Sequence, residues 1–154
     1  VQQYINTFHR TPVIVIDYLQ MVPPTSERLT DKQNIDNIML SLRQLKNMGV
    51  PCFVISSLSR VSYDSPIGLS SFKESGSIEF SADIALALDF EAMYTAQINA
   101  KGKVEIDLNH ERSVPVRSLL LTVLKNRLGQ AGTQISFDFT PAGNLFQERG
   151  LFTR

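Results

Sequence analysis

A single cysteine, Cys52, leaves this chain of 154 residues no internal disulfide and no cysteine pair at metal-binding spacing. It lies in the apolar run PCFVISS, where a small buried thiol is the simplest reading. Charge of one sign is lacking too: fifteen basic residues meet fifteen acidic ones, for a formal charge of zero. Binding to a polyanion must then come from local patches, because the bulk field contributes nothing. No apolar run approaches a membrane span and the first residues lack a signal-peptide pattern, so the expectation is a cytoplasmic protein with no membrane partner. HExxH, EF-hand loops and metal-spaced Cys/His sets are absent. His9 and His110 are isolated in sequence and read as surface or loop histidines. Catalytic triads are not local in sequence, but no G-x-S-x-G elbow supports one. The loop GxxxxGK[ST] is missing as well. The Gly102-Lys103 pair is followed by Val104 and lacks a glycine at the required place before it, so this chain shows no cradle for nucleotide phosphates.

What is present is the composition of one soluble globular domain, 43% hydrophobic and 19% charged, and residues 1–154 are expected to form a single domain. Val1, Tyr4, Ile5 and Phe8 fall at helical spacing and read as the last turns of a helix. TPVIVID is short, continuous and β-branched, the pattern of a strand buried on both faces. After the proline-rich loop MVPPTSERL, Thr30 and Gln33 form a T-x-x-Q capping box. Ile35, Ile38, Met39, Leu42 and Leu45 then make one apolar helical face, which Gly49 and Pro51 stop. PCFVISS predicts a second strand, SSFKESGSIEFS a loop with a short helix, and ADIALALD a third strand with alanines on one face. Residues 90–117 are least legible; FEAMYTAQIN has helical character, and Ala100 to Lys103 suits a hairpin turn. SLLLTVLKN predicts a fourth strand. GQAGTQISFDF alternates Ile135, Phe137 and Phe139 against Gln134, Ser136 and Asp138, as a half-exposed antiparallel strand near an edge does. This order of elements predicts an α/β domain with a mostly parallel sheet flanked by helices and an antiparallel C-terminal strand pair.

In such sheets ligands lie beyond the carboxyl ends of the strands. Asp17, Ser56, Ser57 and Lys125 all fall at predicted strand ends. A carboxylate closing an apolar strand, as in VIVID, either caps the following turn or holds something cationic. The second nucleotide motif of phosphate-loop ATPases has this form, its carboxylate helping to hold Mg²⁺ through the metal's water shell. A third reading makes Asp17 the phosphoacceptor of a receiver-like module. That needs an acidic pair at an earlier strand end and a later lysine, and the lysine alone has a candidate, Lys125.

VIVIDYLQMV, VISSLSR, FKESGSIEFSADIALAL and LTVLKNRLGQAGT, in that order, resemble the successive motifs of the DnaB-type replicative helicase motor, closest to its phage or mobile-element versions. The resemblance covers roughly residues 12 to 146, with 90–117 as a family-variable insertion. It implies a partial RecA-like P-loop NTPase fold that works with ATP and Mg²⁺. Asp17 matches the aspartate that organises Mg²⁺-ATP. Ser56 and Ser57 stand at the family's sensor pair, where a glutamine is usual in place of Ser57; a serine reaches less far. Lys73, Glu74 and Gly76 match the channel loop that touches phosphates of single-stranded DNA. Lys73 replaces the usual arginine there, keeping the charge and losing the bidentate fork. Arg60 is a further candidate for that contact. Lys125 and Arg127 match the pair that reaches across a subunit boundary, Arg127 as the arginine finger on the neighbour's γ-phosphate.

The partners implied are single-stranded DNA, five further copies in a homo-hexameric ring, a helicase loader and a primase. The phosphate loop, catalytic glutamate and collar domain of these motors lie upstream of the position of Asp17. The chain therefore reads as the C-terminal half of a motor domain, inactive by itself as an ATPase. The alternative is a truncated or degenerate relative that binds DNA or a helicase without hydrolysing ATP.

Overall fold

A computed structural model of the chain describes residues 1–59, 65–72, 76–95 and 106–152. The chain divides into two compact units, Val1–Ser59 with Phe72–Ser81, and Arg60–Ser71 with Ala82–Arg154. Among the described residues no helix is long and apolar enough to cross a membrane.

The first unit opens with α1 (Gln2–Phe8), which ends at a left-handed His9 whose N–H bonds the Ile5 carbonyl at 2.8 Å. Strands β1 (Ile14–Ile16) and β2 (Cys52–Val54) then pair in parallel, with Val15 opposite Phe53. The intervening helix α2 (Asp31–Asn47) starts where its chemistry says it should. The Thr30 hydroxyl accepts from the Gln33 N–H, and the Gln33 side chain accepts from the Thr30 N–H, closing the capping box. Gly49, at φ +75, turns the chain out of the helix in a conformation that a side chain would strain. The predicted stripe is the core: Ile35, Met39 and Leu42 are buried with Leu19 and Ile78, and Ile16, Ile38, Leu45, Cys52, Val54 and Phe72 pack against them. Each fully buried aliphatic side chain of this kind contributes about 1.5–3 kcal/mol relative to its exposed state.

That core covers one face of the strand pair. Val13, Val15, Phe53 and Ile55, which alternate with the core residues, are 43–65% exposed. The expectation that VIVID is buried on both faces is therefore corrected: period-two geometry sends every second side chain away from α2. Helix α3 (Gly76–Ser81) completes the unit by placing Ile78 in the core, as the short helix expected after the loop.

The second unit is an antiparallel meander in the order β3 (Ile84–Phe90), β4 (Arg117–Asn126), β5 (Gln134–Thr140) and β6 (Leu145–Leu151). The expected mostly parallel sheet thus reduces, among the described residues, to the one pair β1–β2. The expected antiparallel strand pair grows to four strands. Strand β5 is interior, and the edge belongs to β6, whose Phe146 stacks on Phe139 with ring centroids 4.3 Å apart. The alanine face of β3 is the buried one, through Ala85 and Ala87, while Ile84, Leu86 and Leu88 are exposed. Among the described residues between β3 and β4 are two short helices, α4 (Ala92–Thr95) and α5 (Leu108–Ser113). Asp107 caps α5 by accepting from the N–H groups of Asn109 and His110. The turn expected at Ala100 to Lys103 lies outside the described residues.

Two β-bulges shape the meander. Ala85 pairs with Lys125 but Leu86 pairs with Val123, so Leu124 is the extra residue on β4. Ser136 pairs with Gly150 but Phe137 with Glu148, so Arg149 is the extra residue on β6. Arg149 uses its position to pair with Glu91 and with Asp138.

Candidate functional site

The parallel pair brings the first group of predicted residues together. Strands β1 and β2 run out at the same end, where the Ile55 N–H bonds the Ile16 carbonyl (2.9 Å) and the Leu19 N–H bonds the Ile55 carbonyl (2.8 Å). Asp17 leaves this ladder exposed to solvent, and its peptide bond to Tyr18 is cis. A one-turn helix follows at Leu19–Met21, and its cap residue is Tyr18, with no side-chain cap. Among the described residues the Asp17 carboxylate has no hydrogen-bond donor and no cation against it. The capping reading of Asp17 therefore finds no contact to support it.

The residue that the sequence reading missed is Gln20. Its Nε2 donates to Ser56 Oγ at 3.1 Å, and its Oε1 accepts from the Ser57 N–H at 3.1 Å. One amide, using both its ends, ties the turn after Asp17 to the turn after β2. Ser57 thus takes part through its backbone, while the Ser56 hydroxyl donates to the Ser57 carbonyl. Nothing local in DYLQ marks this bridge, because it forms only where two segments some 36 residues apart meet.

The second group lies in the other compact unit. Lys125 is near the end of β4, opposite Ala85 and next to the Leu124 bulge, and β4 is antiparallel to both its neighbours. Its expected place at the carboxyl end of a parallel strand is corrected accordingly. The turn that follows is built by Asn126. Asn126 Oδ1 accepts from the Leu128 N–H at 3.2 Å, and a Cβ at Gly129 would come within 2.7 Å of Asn126 Nδ2. Gly129 is what lets that amide fold over the turn. Arg127, the first residue of the turn, donates its N–H to the Asp83 carbonyl at 2.8 Å, and its guanidinium meets the Asp83 carboxylate at 3.0 Å. Both side chains remain half-exposed, at 48% and 38%.

Arg60, Lys73 and Glu74 lie outside the described residues. Gly76 is the first residue of α3, and Phe72 bridges to Leu58 and packs on the core. Among the described residues no three His, Cys, Asp or Glu side chains gather as a metal site. A shallow depression lined by Ile5, Asn6, His9, Arg10 and Thr11 contains none of the candidate residues.

A mixed α/β chain with an unengaged acidic strand end in one unit and a guanidinium on a turn in the other leaves a wide class of proteins open. The comparisons narrow it. The model of the DnaB-like helicase C-terminal domain matches residues 1–148, and the chain belongs to that family. It is 33% identical over 118 residues to the replicative DNA helicase DnaB of Geobacillus stearothermophilus, covering 73% of this chain and 26% of that protein. It is 30% identical over 118 residues to the replicative DNA helicase DnaC of Bacillus subtilis (strain 168), covering 73% of this chain and 26% of the relative. A probable replicative DNA helicase of Trieres chinensis is 31% identical over 132 residues, covering 82% and 26%. The chain therefore spans about a quarter of the length of the curated relatives it matches. A solved structure, described as that of a DnaB-like replicative helicase and its interactions with primase, superposes with a TM-score of 0.68 at 24% identity. It covers 94% of this chain and 34% of that one, and at this identity the likeness speaks to fold.

Proposed function

We propose that this chain supplies part of the ATP-driven motor of a replicative DNA helicase, with residues 1–154 as a C-terminal portion of a RecA-like motor domain. In this reading the protein that carries it forms a homo-hexameric ring that moves along single-stranded DNA. The observation that carries the proposal is the match of residues 1–148 to the DnaB-like helicase C-terminal domain. Asp17 is exposed just past the end of β1, and Arg127, half-exposed and paired with Asp83, opens the turn after β4. A single exposed carboxylate suits Mg²⁺ held through its water shell, since the phosphates of ATP supply most of the metal's charge partners. Bound Mg²⁺-ATP supplies the phosphoryl group whose charge spreads as it transfers, and Arg127 is the fork that meets this charge from the neighbouring copy. Lys125, two residues earlier on β4, is proposed as a second cation beside that turn. Gln20 holds the Ser56–Ser57 backbone against the Asp17 turn, so the nucleotide side is rigid before ligand arrives. Lys73, Glu74 and Gly76 are proposed as the DNA-contacting loop, with Arg60 as the other candidate. Primase is named with the structural relative, and it is a proposed partner here, as is a loader.

Mixing two variants of the intact protein tests the proposal. Arg127→Ala is expected to bind ATP normally and to lose hydrolysis by about 10³-fold or more. Asp17→Ala fails in its own pocket and still offers a good finger. Mixed rings should therefore regain some ATPase activity, because sound pockets then face sound fingers. Mixtures that exchange subunits and remain inactive at every ratio remove the assignment in trans. Normal hydrolysis by Arg127→Ala makes it a turn residue, whereas an intact, unaltered protein that does not hydrolyse ATP favours the non-catalytic alternative.

A further inference from the structure

Asp83 and Arg127 meet through both backbone and side chain. Both side chains are half-exposed, and ion pairs of that kind add little to stability. The pair is nevertheless made twice over. The Arg127 N–H is tied to the Asp83 carbonyl at 2.8 Å, and the guanidinium is tied to the carboxylate at 3.0 Å. One bond fixes the root of the side chain and the other fixes its tip. Asp83 stands next to Ile84, which pairs with Asn126, so the register of β3 on β4 itself delivers Asp83 opposite Arg127. The Leu124 bulge immediately before gives β4 its local twist at that point. Asn126 and Gly129 fix the turn on the other side.

We propose that Asp83 is a positioning residue for Arg127: it holds the guanidinium at one orientation, so that the fork is aimed before a phosphate of the neighbouring copy arrives. An arginine has several rotatable bonds, and ordering them in advance removes that cost from the transition state. The inference rests on the proposed role of Arg127 and adds to it a residue on a different strand. Asp83→Asn removes the charge and keeps one oxygen acceptor, while Asp83→Glu keeps the charge on a longer stem.

In the intact protein, Asp83→Asn is expected to lower kcat by about tenfold with KM for ATP within about twofold, the signature of an interaction lost in the transition state. The same variant should bind ADP with unchanged affinity and bind ADP with aluminium fluoride, a mimic of the transferring phosphoryl group, about tenfold more weakly. Asp83→Glu should recover part of both losses, and the thermal midpoint should not move. Asp83→Asn with wild-type kcat and wild-type aluminium fluoride affinity, beside an inactive Arg127→Ala, overturns the positioning role and leaves the finger intact. Loss of ADP affinity and thermal midpoint together overturns it in favour of a structural role. An active Arg127→Ala removes both ideas at once.

Discussion

The two groups of candidate residues are built in opposite ways. On the first unit the candidate residue Asp17 is left unengaged, and the turns around it carry the hydrogen bonds, from Gln20 to Ser56 and Ser57. On the second unit the candidate residue is itself held, because Arg127 is bound to Asp83 at both backbone and side chain. The difference follows from side-chain length. A carboxylate on a short stem is aimed by its backbone alone, so fixing the turn fixes the charge. A guanidinium on a long stem is not aimed by its backbone, and a second residue must hold its tip.

The largest effect that separates the halves comes from their cores. Leu19 and Leu120 are each 0% exposed, one in each unit. Either Leu→Ala change should cost about 2–5 kcal/mol in a denaturant melt. Amide exchange is expected to rise in α2, β1 and β2 for Leu19→Ala, and in β4 and β5 for Leu120→Ala. If both variants open both units equally, the halves are not independently built. Next in size is Gln20→Ala, which removes two hydrogen bonds at about 1 kcal/mol each. Gln20→Glu keeps the acceptor for the Ser57 N–H and loses the donor to Ser56, so about half that loss is expected. Equal losses would mean that the Ser57 bond contributes nothing.

The smallest effect is a pH dependence confined to the second unit. Burial raises the Asp89 carboxyl above its ordinary value, against the opposing pull of hydrogen bonds from the Phe90 N–H (2.8 Å) and the Ile67 backbone. A carboxyl with a raised folded-state value favours folding while protonated. Its contribution is fully present below the ordinary carboxyl value and is lost as pH rises through the raised one. Asp89→Asn should flatten that segment of the stability–pH curve, and an unchanged curve would assign the slope to another group.

Local signals were legible. Helix α2 was readable to its cap because Thr30, Gln33 and Gly49 act on their own neighbours. The succession of the first five strands along the chain was readable as well. What stayed hidden is nonlocal. Nothing in VIVID says which of its faces finds a helix, because alternation appears in sequence only when the outer face is polar. Strand β6 was missed because LFQERGL carries charge and a glycine, and its pairing depends on Phe139 across the sheet. The Leu124 and Arg149 bulges are properties of register, which no single strand encodes. Of the candidate residues, Asp17, Ser56, Ser57 and Lys125 were read from strand ends, and Arg127 from the family resemblance of LKNR. Gln20 and Asp83 were not, since their roles exist only once two separated segments meet.

The uncovered face of β1 and β2 carries a consequence for handling the chain by itself. Val13, Val15, Phe53 and Ile55 put apolar side chains in water on a sheet of two strands. The chain has no net charge at neutral pH, and its isoelectric point is near 6.9. Copies in solution thus have a reason to adhere and no mutual repulsion to keep them apart, so colloidal solubility should pass through a minimum close to pH 7 and recover on either side.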